Sequence, residues 1–194
     1  HIVIMSMSAS IGLAAVFVVD FADFAFISML KDDSLMAAVG YAGTMLYFTF
    51  SASIGLMIAG GALAAQKIGS GDPAEARRIM TSVIVFGLII SAIIASTVFA
   101  FAPDLIAFLG ATGNTAEHAT RYLRIVVVAM PIGAVSMMCA GLLRAHGDAR
   151  RSMTVTLSGA FTNAALDPIF IFALGLGLDG AAYASVISRF AMAL

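Results

Sequence analysis

Carboxyl and amide side chains lie inside two strongly apolar stretches of this sequence. Asp23 belongs to the stretch 2–30, and Asn163 and Asp167 belong to another one near the end of the chain. Acidic residues inside such stretches are costly to bury and usually mark an ion or substrate pathway. Asn163 and Asp167 are four residues apart and share one helix face. Pro168 frees a backbone carbonyl one turn earlier, so this spacing predicts an oxygen-rich site for a proton or a hard cation such as Na⁺.

Three further polar residues lie in apolar surroundings. Asp20 precedes Asp23 by three residues, which places both on roughly one helix face. Ser185 and Arg189 share a face of a later stretch. Ser185 either adds an oxygen ligand or lets two helices approach closely. Arg189 either balances the acidic residues or extends its charge to the membrane surface. The sequence leaves both pairs of interpretations open.

The composition indicates an integral membrane protein. Hydrophobic residues make up 61% of the 194 residues, and charged residues make up 11%, whereas a soluble domain has about 25% charged residues. The mean hydropathy is +1.05. A net charge of −1 argues against a nucleic-acid partner. The single Cys and the three His form no cluster with metal-ligand spacing, so we expect no bound cofactor.

Polar and helix-breaking residues divide the chain into six apolar stretches, and about 20 apolar residues suffice for a helix to cross a bilayer. Within the segment 103–121, residues 104–109 are too few to span the bilayer and predict a short helix at the membrane surface. Ser34, Asp72 and Asn114 are the expected helix caps. The sequence thus predicts an all-α membrane protein with six transmembrane helices, at about 2–30, 35–65, 79–102, 121–143, 152–174 and 179–194.

The distribution of basic residues predicts the orientation in the membrane, because cytoplasmic loops are enriched in Lys and Arg. The loops after the second and fourth spans hold six basic residues, and the opposite side holds three. We therefore expect the six-charge side, and with it both chain ends, to be cytoplasmic. The residues on the two sides are Lys67, Arg77, Arg78, Arg144, Arg150 and Arg151, against Lys31, Arg121 and Arg124.

Four motifs resemble those of the multidrug and toxic compound extrusion (MATE) transporters, and are most similar to the DinF-like branch. The first covers 23–30 and 35–40, the second 65–72, the third 141–150 and the fourth 163–188. The fourth is the most specific, because it combines Asn-Ala-Ala-Leu-Asp-Pro with a later Gly-rich turn. Together they cover nearly the whole chain in the family's order.

This resemblance implies a fold and a function. Family members have two six-helix lobes related by pseudo-twofold symmetry, so residues 1–194 would form the N-terminal lobe, with the C-terminal lobe expected in cis. Members export cationic, often aromatic compounds in exchange for H⁺ or Na⁺. The expected partners are thus membrane lipid and small organic cations, and the expected location is a bacterial or archaeal inner membrane.

The resemblance also implies a set of site residues. In the DinF-like branch, the cation site of the N-terminal lobe lies at positions that match Asp23, Asn163, Asp167, Ser185 and Tyr122. If the ion is Na⁺, the resemblance implies that it is held by Asp23, Asn163, Asp167 and Ser185. Two features depart from the family pattern. The first helix contains no Pro, and Arg189 stands where many members have Gln. The fixed positive charge of Arg189 would disfavour Na⁺, so we expect this residue to modulate the site. Asp20, which shares a helix face with Asp23, is expected to modulate it as well.

Other functions fit parts of the sequence. A lipid flippase of the same superfamily would need several Arg residues in its cavity, and only Arg189 qualifies. An intramembrane aspartyl protease would use two Asp residues that share a proton, and residues 69–72 spell its Gly-x-Gly-Asp pattern. That pattern, however, lies in a basic loop outside the spans. A purely structural subunit would have no need of the Asn163–Asp167 pair.

Overall fold

The computed structural model describes the backbone of residues 2–193 and, within the first helix, leaves out the side chains of residues 2–6, 8, 9, 12, 13, 16 and 20. The described part consists of helices joined by short loops and contains no strand. The elements are α1 (Ile2–Ser28), α2 (Asp33–Gly69), α3 (Pro73–Ala100), α4 (Ala102–Phe108), α5 (Gly113–Val128), α6 (Met130–Ala145), α7 (Ala149–Pro168), a π-helical turn (Ile169–Ala173) and α8 (Gly177–Ala193).

The helices follow the order of the six predicted spans. Among the described residues, α2, α3 and α7 with its π turn are long and apolar enough to cross a membrane, and α5 with α6 adds a fourth when this bent pair is taken as one span. α1 reaches 27 residues, and α8, with 17 residues, lies at the short end of the range for a spanning helix. The short α4 occupies the segment predicted to lie at the membrane surface.

Two of the predicted helix caps are wrong. Asp32, not Ser34, caps α2: its carboxylate accepts hydrogen bonds from the backbone nitrogen of Ser34 at 2.9 Å and from its hydroxyl at 2.6 Å. α5 begins at Gly113 with Thr112 as its cap residue, so the Asn114–Glu117 pair lies inside the first turn and caps nothing. A Gly with a φ of 57° starts this helix two residues earlier than the capping pattern predicts.

The fourth span is bent, a feature that the apolar pattern of the sequence does not predict. α5 and α6 meet at Ala129 with an angle of 52° between them. Pro131 lies in the first turn of α6 and has no amide hydrogen to continue the hydrogen bonding of α5. The span is also longer than the predicted 121–143, because α5 begins near the membrane surface.

The bundle depends on close approach between helices. α1 packs mainly against α7, α2 packs against α3, α5 and α6, and α8 packs against α7 and α5. Small residues allow these contacts. At Gly141 of α6, an added Cβ would lie 2.5 Å from Cγ of Met57, and at Gly159 of α7 it would lie 2.2 Å from Cγ of Met192. Methionine side chains of neighbouring helices therefore occupy the space above these glycines.

A π-helical turn follows directly after Pro168. The amide of Leu174 donates to the carbonyl of Ile169 at 2.9 Å, a bond that spans five residues. α8 contacts this turn through Gly180, where an added Cβ would lie 2.6 Å from the backbone carbon and oxygen of Phe170. The sequence predicted the disturbance at Pro168 but not its form. The turn fixes the end of α7, on which the candidate site is built.

Candidate functional site

Asp167 is the most deeply buried acidic residue of the site. It lies at the end of α7, one residue before Pro168, and none of its surface is exposed. Neither of its carboxyl oxygens has a hydrogen-bond donor among the described residues. A buried carboxylate without a donor is strongly unfavourable. Among the described residues no hydrogen-bond donor meets this side chain, so a proton or a cation would stabilise it.

Asp23 on α1 brings a second carboxyl group to the same place. It lies within hydrogen-bonding distance of the carboxyl group of Asp167. The amide nitrogen of Asn163 lies 3.2 Å and 3.3 Å from the two oxygens of Asp23, in the amide orientation that satisfies both groups. Asn163 itself is 6% exposed. α1 and α7, which pack along each other, thus join three polar side chains in an apolar interior.

The chemistry of this cluster follows from its donors and acceptors. Two ionised carboxylates only accept hydrogen bonds, so the contact between Asp23 and Asp167 is favourable only when a proton or a cation lies between them. Asn163 supplies donors to Asp23 and none to Asp167. This arrangement of acceptors and donors is one that a single positive charge would stabilise.

Two hydroxyl groups extend the cluster towards α5 and α8. The Tyr122 hydroxyl lies close to the Ser185 side chain, and Tyr122 is near enough to both carboxyl groups to interact with them electrostatically. The ring of Tyr122 is buried, with 8% of its surface exposed. These hydroxyls can donate or accept a hydrogen bond as the charge of the acidic pair changes.

Arg189 lies beside this cluster. Its guanidinium carbon is 4.8 Å from the centre of the Phe50 ring, which is the geometry of a cation–π contact, and it is close enough to Tyr122 for an electrostatic interaction. The contact with Phe50 places this charge between α8 and α2, beside the polar cluster. The contact with Phe50 was missed, because nothing in the sequence connects residues 50 and 189.

The structure thus brings together most of the candidate residues named from the sequence. Asp23, Asn163 and Asp167 are in contact, and Tyr122 and Ser185 adjoin them. The side chain of Asp20 lies outside the described residues. No group of three or more His, Cys, Asp or Glu residues with metal-site geometry occurs in the part of the chain that the structure describes.

A comparison with protein families identifies the chain. The model of the MatE family matches residues 9–169, which is most of the sequence. This chain belongs to the MatE family. The match covers α1 to the π turn and includes Asp23, Asn163 and Asp167.

Individual members of the MatE family are similar along most of this chain. The Multidrug export protein MepA of Staphylococcus aureus is 27% identical over 171 residues, which cover 87% of this chain and 38% of MepA. The Protein DETOXIFICATION 42 of Arabidopsis thaliana is 32% identical over 127 residues, which cover 63% of this chain and 25% of that protein. The MatE chain described here therefore spans less than half the length of these relatives.

Solved structures of MatE transporters have the same fold. A crystal structure of a MATE transporter in complex with MaD3S superposes with a TM-score of 0.94 at 30% identity and covers 98% of this chain and 43% of its own. The structure of a MOP superfamily transporter from Pyrococcus furiosus, described as having a binding pocket of reversed polarity, also superposes with a TM-score of 0.94 at 30% identity. The match covers 99% of this chain and 42% of that transporter. These matches confirm the all-α membrane fold and its likeness to one half of a two-lobe transporter. They also place the chain among transporters of the multidrug efflux family and not among enzymes.

Proposed function

We propose that this chain is the N-terminal lobe of an antiporter that exports organic cations in exchange for H⁺ or Na⁺. The observation that carries the proposal is the buried contact between Asp23 and Asp167, in which Asp167 has no donor of its own among the described residues. A positive charge that enters and leaves this pair changes the electrostatics at the centre of the bundle. Such a change can bias a two-state conformational equilibrium.

A proton fits this site better than Na⁺. In the amide orientation that satisfies both groups, Asn163 directs its nitrogen at Asp23, and a nitrogen-bound hydrogen repels a metal ion. Arg189 adds a fixed positive charge nearby. A proton between the carboxyls needs no further oxygen ligands, whereas a hard cation needs several. We therefore propose H⁺ as the coupling ion of this lobe, with Asp23 and Asp167 as its binding groups.

The exported compounds are organic cations in this proposal. MepA is named as a multidrug export protein, and acidic groups inside an apolar bundle attract positive charge. A flippase for lipid phosphates is less well supported, since Arg189 is the one arginine beside the acidic pair among the described residues. The protease alternative is also poorly supported. Asp72 lies on an exposed loop and accepts a hydrogen bond from the backbone nitrogen of Glu75 at 3.1 Å, which is the role of a helix cap.

The orientation of the chain in the membrane is proposed from the distribution of its basic residues. We propose that the loops after α2 and α6 face the cytoplasm of a bacterial or archaeal cell, that both ends of the chain lie on that side, and that a second lobe follows in cis. The support is the asymmetry of six basic residues against three. The relatives support the second lobe, because they extend well beyond the region matched by this chain.

The proposal is tested by export from liposomes that contain the chain together with its second lobe. An imposed pH gradient should drive export of a cationic dye such as ethidium, and the chain without a second lobe should export none. Replacement of Asp167 by Asn should abolish gradient-driven export. The matched control is Asp104→Asn, which neutralises an exposed carboxylate on α4 and should leave export unchanged. Equal export by the Asp167→Asn form and the unmodified protein would overturn the proposal.

A further inference from the structure

A groove opens on the outer surface of the bundle, away from the acidic pair. It lies between α4, α5 and α8 at the end of the bundle that holds Lys31, and its volume is about 570 Å³, within the range of pockets that bind small molecules. Its polar lining consists of Glu117, Thr120, Arg121, Arg124 and Tyr183. None of these residues has a place in the proposed coupling mechanism.

The two arginines of the groove are held in position by the protein. Arg121 forms an ion pair with Asp179 at the start of α8, yet 66% of its side chain is exposed. Arg124 donates from Nε to the carbonyl of Phe99 at 3.3 Å, and its guanidinium carbon lies 5.5 Å from the centre of the Phe99 ring. The terminal amino groups of Arg124 form no hydrogen bond with any described residue and are available to a ligand. Fixed guanidinium groups are well suited to bind a phosphate.

Glu117 gives the groove a charge of the opposite sign. It is exposed and has no ion-pair partner among the described residues. Glu117, Arg121 and Arg124 occupy positions i, i+4 and i+7 of α5 and therefore share one face. With a rise of 1.5 Å per residue, Arg121 lies about 6 Å and Arg124 about 10 Å further into the bundle than Glu117. The acidic group is thus outermost and the two basic groups lie deeper.

This order of charges matches the head group of one class of lipid. In a zwitterionic phospholipid the ammonium group lies outermost, and the phosphate lies deeper, next to the acyl chains. We propose that the groove binds the head group of an ethanolamine phospholipid, with the ammonium on Glu117 and the phosphate on Arg121 and Arg124. The hydroxyls of Thr120 and Tyr183 line the same groove and can donate to the phosphate oxygens.

The surroundings of the groove fit a position at the membrane interface. Phe101 and Phe108 flank α4 with 56% and 87% of their surfaces exposed, and aromatic side chains are enriched where the hydrocarbon meets the head groups. Ile125, which lies deeper on α5, continues the groove as an apolar surface. A lipid bound here has its acyl chains against the exposed apolar side of the bundle.

Lipid binding to the purified protein, in its full cellular length, tests this inference without any transport assay. Native mass spectrometry with added phosphatidylethanolamine or phosphatidylglycerol counts the lipids retained. The unmodified protein should prefer phosphatidylethanolamine by about two- to fivefold, as expected for one exposed charge pair. Glu117→Gln should remove this preference, and Glu117→Lys should reverse it. Because Glu117 is exposed and unpaired, neither change should disturb folding.

The arginines are tested in the same experiment. Arg124→Gln should weaken the retention of both lipids by about tenfold, as expected for the loss of a charge-assisted bond to phosphate. Arg150→Gln, at the opposite end of the bundle, is the control and should change neither. The inference is overturned if phosphatidylglycerol is retained at least as well as phosphatidylethanolamine by the unmodified protein, or if Glu117→Gln leaves the preference intact.

Discussion

The carboxyl groups of Asp23 and Asp167 contact each other inside the bundle, although they belong to the first and fifth spans. This contact depends on the packing of α1 against α7. One of the two groups, Asp23, is supplied with donors by Asn163, while the other has none among the described residues. In the proposed mechanism this asymmetry gives the two residues different tasks: Asn163 holds Asp23 in place, and Asp167 depends on the proton that the pair would bind.

Replacement of Asn163 by Leu tests this division of tasks. The change removes the donors of Asp23 and leaves its charge in an apolar interior, where a hydrogen bond to a charged group is worth about 1.5–3 kcal/mol. We expect gradient-driven dye export to fall by about tenfold or more, as such an energy implies. Asn114→Leu, an exposed change in the first turn of α5, is the control and should leave export unchanged. Normal export by the Asn163→Leu form would show that Asp23 needs no donor.

The hydroxyl groups of Tyr122 and Ser185 should act as one unit. Tyr122→Phe and Ser185→Ala each remove one partner of the same contact, so each should lower the free energy of unfolding by about 1 kcal/mol. The double variant should cost little more than either single one, which is the signature of coupled residues. Thermal unfolding of the four forms in detergent measures this cycle. Additive losses of stability would mean that the two hydroxyls act independently. The control is Tyr47→Phe, at a side chain that is 75% exposed, which should leave the free energy of unfolding unchanged.

The contact between α8 and the π turn predicts a sharp difference between two glycines. An Ala at position 180 would place its Cβ 2.6 Å from the backbone of Phe170, whereas an Ala at position 43 of α2 would meet no atom within 4 Å. Because backbone cannot move aside as a side chain can, Gly180→Ala should destabilise the protein by about 1–3 kcal/mol. Gly43→Ala should be neutral or slightly stabilising. Equal thermal stability of the two variants would contradict this packing.

The proposed orientation is tested by the labelling of single cysteines in intact cells. Cys139 is first replaced by Ala, and a cysteine is then introduced at Ser70 or at Asp33, which are exposed at opposite ends of the bundle. Asp33 is chosen over its neighbour because Asp32 caps α2. A membrane-impermeant thiol reagent should modify position 33 and not position 70. The opposite pattern would mean that the six-charge side faces outward.

Much of this fold is visible in the sequence, because the cost of exposing polar backbone to lipid makes spanning segments long, apolar and regular. The same cost singles out Asp23 and Asp167 as unusual residues. The bend at Ala129 and the π turn after Pro168 are harder to predict, since Pro131 and Pro168 indicate where a helix is disturbed but not how it rearranges.

Tertiary contacts account for the other differences. The contact of Arg189 with Phe50 joins α8 to α2, and such pairs carry no local signal in a single sequence. The groove beside Arg124 was missed for a similar reason. In the sequence, Arg121 and Arg124 are only two of the three basic residues on the predicted outer side, and nothing indicates that they line a groove. Residues 117, 121 and 124 share one face of α5 because of their spacing, but only the packing of α4 and α8 makes that face a groove.

In the proposed mechanism, Asp23 and Asp167 hold a proton that an exported cation displaces. The most direct test of this mechanism is the release of protons when ethidium is added to the weakly buffered, purified two-lobe transporter, followed with a pH-sensitive dye. The unmodified protein should release protons in proportion to the ethidium bound, while the Asp23→Asn and Asp167→Asn forms should bind ethidium with little or no release from this lobe. Unchanged proton release in both variants would contradict the claim and assign the coupling to another part of the transporter.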